Sequence, residues 1–185
     1  MGDISRNFSY FEFLKSDIAD LNNIVEQYNV PICVKESIKH LVKTTLQPIR
    51  NKLPRESYIL ISSGYRCNRV EKILTWHKGF KNWCRHNDLL WVKTGDNDEE
   101  VDSNWETYLL RKQHPRACAA DIMCFIDGKR SNNTILDIVR DNGIVFDQMI
   151  SEDINYDDNP EWIHISCTKG KNRKQIRNIN PLSSI

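Results

Sequence analysis

The stretch Gln113-His114-Pro115-Arg116-Ala117-Cys118-Ala119-Ala120-Asp121 puts a histidine and a carboxylate seven positions apart, with small residues between them. Some forty residues later, Glu161-Trp162-Ile163-His164 supplies a second histidine with a glutamate three places before it. Two imidazoles and one carboxylate are a common ligand set for a catalytic zinc, which keeps a fourth position open for water. The remaining glutamate is then the natural proton acceptor for that water. Read this way, the motif requires any fold of the chain to bring two distant segments onto one small patch. Each member alone has a plainer reading. His114 fits a loop, Asp121 a partner for Arg116 or a lysine, His164 a hydrogen-bonded core position, and Glu161 a surface acid. One geometric condition applies. Residues three apart on a straight strand face opposite sides, so Glu161 and His164 share a site only if the chain bends near Pro160.

A length of 185 residues suits one domain with a sizeable core, or a domain carrying an insertion. Charge is balanced, 26 basic against 25 acidic residues, so bulk electrostatics argues against a nucleic-acid partner. No apolar run approaches the roughly 18–20 residues of a membrane span. The first fifteen residues lack the basic-then-apolar layout of a signal peptide, so synthesis and folding in a cytoplasm are expected. The six cysteines, at 33, 67, 84, 118, 124 and 167, contain no Cys-x-x-Cys pair and are expected to be reduced and mostly buried. A monomer is the default expectation.

Along the chain, Ser9 and Glu12 form a capping box for a short helix, with Phe8 placed to staple onto Phe13. Val34 to Leu53 reads as the main helix, apolar on one face, with Pro48 expected to kink it or end its regular part. His40 on this helix reads as a surface or boundary residue. Tyr58–Ser62 is an expected strand ending in Ser63-Gly64-Tyr65-Arg66, where the glycine allows a sharp turn. Val70 to about Arg85 is helical again, weakened by Gly79. Leu89–Val92 reads as a short strand and Thr94–Ser103 as an acidic loop. The tryptophans between Trp76 and Trp105 are either the core of a subdomain or an aromatic wall beside a cleft. Further strands are expected over Ala119–Phe125, Val145–Ile150 and Trp162–Ser166. A helix capped by Asn133 or Ser131 and stopped by Gly143 lies between the first two. Residues 168–185 form a basic tail, read as a solvated end or as a surface for an anionic polymer.

These residues resemble the zinc D-alanyl-D-alanine carboxypeptidase family. It includes vancomycin-resistance D,D-peptidases, many phage endolysins and the related Hedgehog signalling domain. Its Ser-x-His-x-x-Gly-x-Ala-x-Asp hallmark is matched from Lys112 to Asp121, and its Glu-x-x-His by Glu161 to His164. Ser63-Gly64-Tyr65-Arg66, Leu46-Gln47-Pro48-Ile49-Arg50 and Phe146-Asp147-Gln148 are also similar to family segments, in the family's order. The chain departs from the pattern at Lys112, which replaces the serine, and at Ala117, which replaces the glycine. It also carries an insertion, residues 71–111, expected to overlie the cleft.

The resemblance implies a single α+β metallopeptidase domain of Hedgehog/D,D-peptidase-like fold, its small, mostly antiparallel sheet carrying zinc and its helices packed against that sheet. It implies His114, Asp121 and His164 as Zn2+ ligands and Glu161 as general base. Arg66 would steady the scissile carbonyl. The implied substrate is a peptidoglycan stem peptide, cut as a D,D-carboxypeptidase or an endolysin-like endopeptidase, with the cell wall reached after release or export. The alternative is a non-catalytic zinc module of the same fold that serves binding or virion assembly.

Overall fold

The computed structural model describes residues 3–93, 99–154 and 159–179. The chain is α+β, with helices packed on a mixed six-stranded sheet. The strands are β1 (Tyr58–Ser63), β2 (Ala119–Ile126), β3 (Lys129–Arg130), β4 (Gln148–Ile154), β5 (Pro160–Ser166) and β6 (Gln175–Ile179). They are ordered β1-β2-β5-β4-β6, with β3 on β2. Every pairing is antiparallel except the parallel one between β4 and β6.

One face of the sheet is apolar. Ile59, Ile61, Ala120, Ile122, Cys124, Met149, Ile163 and Ile165 join a single buried cluster with the helices that cover them. Those helices are α1 (Tyr10–Leu14), α3 (Ile32–Leu41), α4 (Gln47–Lys52) and α8 (Asn133–Asp141); α2 (Asp17–Leu21) flanks them. The capping box at α1 forms as expected. Ser9 donates to Glu12 Oε2 from its backbone nitrogen at 2.6 Å and from its hydroxyl at 2.9 Å, and the Phe8 and Phe13 rings lie 6.4 Å apart.

Pro48 neither breaks nor ends the main helix. It follows a π segment, Val42–Leu46, that joins α3 to α4. Proline has no N–H to donate and its ring crowds the carbonyl four residues back, and a widened turn accommodates both. Asn132, not Asn133 or Ser131, stands at the start of α8. Its fully buried side chain donates to Pro160 O and Glu161 O and accepts from Cys124 N instead of capping.

Gly64 is needed for close approach, not for a left-handed turn. A Cβ there would stand 2.5 Å from Phe13 O and 2.6 Å from Phe13 Cα, while Tyr65 N donates to Phe13 O at 2.8 Å. Gly64→Ala is therefore expected to cost about 3 kcal/mol, the upper end for overpacking, because backbone must move and not a side chain. Urea unfolding checks this, and a loss below about 1 kcal/mol would show that the contact adjusts.

The insertion is a helical unit: α5 (Asn68–Thr75), a π segment (Trp76–Phe80), α6 (Lys81–His86) and α7 (Glu99–Leu110). Trp76, Phe80, Trp105 and Tyr108 form its own core, with Trp83 and Trp91 packed on them. The tryptophans are thus subdomain core, and none of those between Trp76 and Trp105 lines the cleft. Gly79 lies where a Cβ would meet Tyr108 Oη at 2.5 Å.

Three sequence expectations change here. Leu89–Val92 is not a strand, and Glu99–Ser103 opens α7 and is not loop; positions 94–98 of that expected loop lie outside the described residues. The basic tail contains strand β6, while residues 180–185 lie outside the described residues. All six cysteines are free thiols, five buried and Cys33 exposed. No helix among the described residues is long and apolar enough to cross a membrane.

Candidate metal centre

The face of the sheet opposite the helices is the floor of a cleft of about 500 Å3. Strand register builds it. Asp121 on β2 pairs directly with His164 on β5, which pairs directly with Ile150 on β4. Directly opposed residues point to the same face, so this rung places Asp121 and His164 side by side. His114 comes from the turn before β2. There Cys118 N donates to Gln113 O and Ala117 N to His114 O, with Ala117 at φ +56°. This is the bond pattern of a Schellman turn, whose left-handed position normally favours glycine. Ala117 accepts the strain, which typically costs about 1–2 kcal/mol.

The hydrogen bonds fix the state of both imidazoles. His114 Nδ1 lies 2.6 Å from Gly64 O. A carbonyl only accepts, so Nδ1 carries the proton and Nε2 presents a lone pair. Gln113 Nε2 donates to Asp147 Oδ2 at 3.0 Å and Ser166 Oγ at 2.8 Å. Its Oε1 is thereby turned to accept from His164 Nε2 at 2.7 Å, leaving His164 Nδ1 bare.

Three lone-pair atoms then converge. His114 Nε2 and His164 Nδ1 are 3.2 Å apart, His164 Nδ1 and Asp121 Oδ1 2.9 Å, and His114 Nε2 and Asp121 Oδ1 3.2 Å. Three acceptors this close repel one another unless positive charge, a shared proton or a metal ion, sits between. Bonds of about 2.0–2.1 Å to a tetrahedral ion would hold ligand atoms roughly 3.3 Å apart. The triad fits such an ion, and this buried group can hold a metal.

Burial opposes the ionised form of Asp121, yet positive charge at His114 and His164, which a bound cation would supply instead, outweighs it and holds the carboxyl well below the usual range. Burial lowers His164 and favours its neutral form, with the Arg66 guanidinium adding to this and Asp121 pulling the other way.

Of the other site residues expected from sequence, Arg66 joins the centre but faces the ligand. Its Nη2 donates to Asp121 Oδ2 at 3.0 Å, its Nε to Ser63 Oγ at 3.0 Å, and its Nη1 lies 3.6 Å from the buried Glu71. Gln27 holds the backbone on both sides of it, donating to Tyr65 O and accepting from Cys67 N, each at 2.8 Å.

The structure does not bring Glu161 to the triad. β5 begins at Pro160, and its residues that line the cleft are Trp162 and His164. Glu161 is outside the cleft lining and pairs with Arg130 on β3.

Glu71 lines the cleft but is engaged by Arg66; a further carboxylate on the cleft side is Glu152. It is the direct partner of Trp162, two residues from His164, and it lines the cleft with Gln148 and Ile150. That diagonal spacing across a sheet is roughly 7–8 Å, about one water from an ion on the triad. Burial and then the charge of Asp121 raise its carboxyl above the ordinary value, with the Trp162 indole partly offsetting them. Alternation along the Val145–Ile150 run, carried two residues further, would have marked Glu152. Gln113 stands in the sequence only as part of the motif around His114, and its role behind His164 has no signal in sequence alone.

Arg173 closes the network from the tail. Its backbone nitrogen and guanidinium bind Asp147 at 2.5–3.1 Å and hold that carboxyl below the usual range. Asp147 in turn holds Gln113. Gln113→Leu is expected to weaken metal affinity about 10–100-fold by releasing His164, as outer-shell losses do. Competition with a chelator measures this, and unchanged affinity would show that the imidazole needs no such support.

Comparison with family models, curated proteins and solved structures returned no match to this chain.

Proposed function

We propose that this chain is a zinc-dependent peptidase of the Hedgehog/D,D-peptidase-like fold that hydrolyses stem-peptide bonds of peptidoglycan, acting at the cell wall after release or export. One observation carries the reading. Three candidate ligand atoms meet on the floor of an open cleft whose same face presents a further carboxylate, Glu152. The order of motifs along the chain adds support.

Zinc held there supplies Lewis acidity and a water of lowered pKa. Glu152 accepts a proton from the attacking water and delivers it to the leaving amine. Gln113 and Gly64 hold the two imidazoles in the neutral tautomers that ligation needs. Arg66 fixes Asp121 through its outer oxygen and is a positioning residue. Glu152 takes the role that the family pattern gives to Glu161, because Glu152 lines the cleft and Glu161, paired with Arg130, does not.

The test is digestion of defined muropeptides by zinc-loaded and metal-stripped protein, with the cut bond read by mass spectrometry. Zinc-dependent cleavage is expected. Equal cleavage by the stripped form would rule the mechanism out. Tight zinc binding without cleavage of any muropeptide would return the chain to the non-catalytic module.

A further inference from the structure

Four cations line the cleft: Arg66, Arg111, Lys112 and Arg173. Two are matched by carboxylates, Arg66 by Asp121 and Glu71 and Arg173 by Asp147. Arg111 and Lys112 form no ion pair among the described residues. Both follow α7 directly, and Lys112 stands two positions before the ligand His114. Arg111 N donates to Tyr108 O and Lys112 N to Leu109 O, which pins the backbone. The Lys112 ammonium lies 4.4 Å from the Tyr108 ring centroid and the Arg111 guanidinium 5.9 Å from that of Trp83. The insertion's aromatic core thus steadies both cations at the rim of the metal cleft. A helix C-terminus favours cations wherever it points. That alone does not account for both lining the cleft without an acid to meet them.

We infer that Arg111 and Lys112 form an anion subsite that receives a carboxylate of the substrate, so that the peptide acted on is acidic near the bond presented to the metal. This rests on the peptidase reading above. A guanidinium offers paired N–H donors that match a carboxylate, and the ammonium adds a point charge. The carboxylate has two possible sources, the free C-terminus of the peptide or an acidic side chain.

The experiment uses zinc-loaded protein and three N-acetylated peptides: one with a free C-terminal carboxylate, its C-terminal amide, and the amide with a glutamate in place of one residue. Binding is read by calorimetry on Glu152→Gln protein and cleavage by mass spectrometry on the wild type. An anionic peptide is expected to bind roughly 10–100-fold more tightly than the neutral amide, and the advantage should shrink as salt rises. Arg111→Gln with Lys112→Gln should remove it and leave amide binding and zinc content unchanged; Lys112→Glu should reverse it. Preference for the first peptide assigns the C-terminus, and preference for the third assigns a side chain. Equal binding of all three, or a preference that survives the double substitution, overturns the subsite. Cleavage of all three with equal KM would keep the peptidase and discard the subsite. Tight, Arg111-dependent binding with no cleavage would do the opposite.

Discussion

Glu152→Gln is expected to lower turnover by about 10²–10⁴-fold, the usual worth of a general acid–base group, with zinc content and melting temperature unchanged. Glu161→Gln is expected to leave turnover within roughly twofold of the wild type, because its carboxylate is engaged by Arg130 and lies outside the cleft lining. The contrast follows from position. Glu152 opposes Trp162 and lines the cleft, while Glu161 is outside the cleft lining and paired with Arg130. Glutamine keeps the shape of either side chain and removes only the proton acceptor. Steady-state rates on a defined peptide, with metal analysis of each variant, decide the matter. The reverse pattern would mean that β5 bends at Pro160 when substrate is present.

Asp121→Ala is expected to reduce zinc affinity by more than the roughly 100-fold that losing an outer hydrogen bond costs. Asp121 supplies the anionic ligand, and it is also the counter-charge of Arg66. Its removal leaves a guanidinium facing two imidazoles with nothing to offset an incoming cation. Equilibrium competition with a chelator gives the affinity. A second readout is thermal. Ligands that bind only the folded chain stabilise it by mass action, so stripping zinc should lower the melting temperature of the wild type and barely move that of Asp121→Ala. An Asp121→Ala protein that held zinc as firmly as Gln113→Leu would remove Asp121 from the ligand set.

Much of the centre was legible in sequence because its ligands lie in short, strongly patterned segments. The runs Tyr58–Ser62, Ala119–Phe125 and Trp162–Ser166 all became strands, and alternation in β2 separates Asp121 from Ala120 and Ile122, which enter the core. The misses have physical causes. Glu99 to Ser103 looks like a solvated loop, but acidic residues are what the first turn of a helix favours, since they face the positive end of its dipole. The Lys169–Arg177 region looks like a loose end, but charged residues are also what an exposed edge strand carries to discourage further pairing, and β6 is such a strand. Glu161 lies outside the cleft lining although the motif points to it, because a motif gives spacing, whereas what a side chain reaches depends on whether the strand bends. The links from Arg173 through Asp147 and Gln113 to His164 were invisible, since each joins residues remote in sequence through polar groups that local pattern does not mark.

The rung that joins Ser63, Asp121, His164 and Ile150 crosses four strands drawn from all over the chain. No single hairpin contains it. A slip of one residue between β2 and β5 would send Asp121 and His164 to opposite faces, and the seat for the ion would vanish. A metal held there would work as a proofreader of assembly: only molecules whose strands have found their correct partners could capture it, and capture would then lock that choice in place.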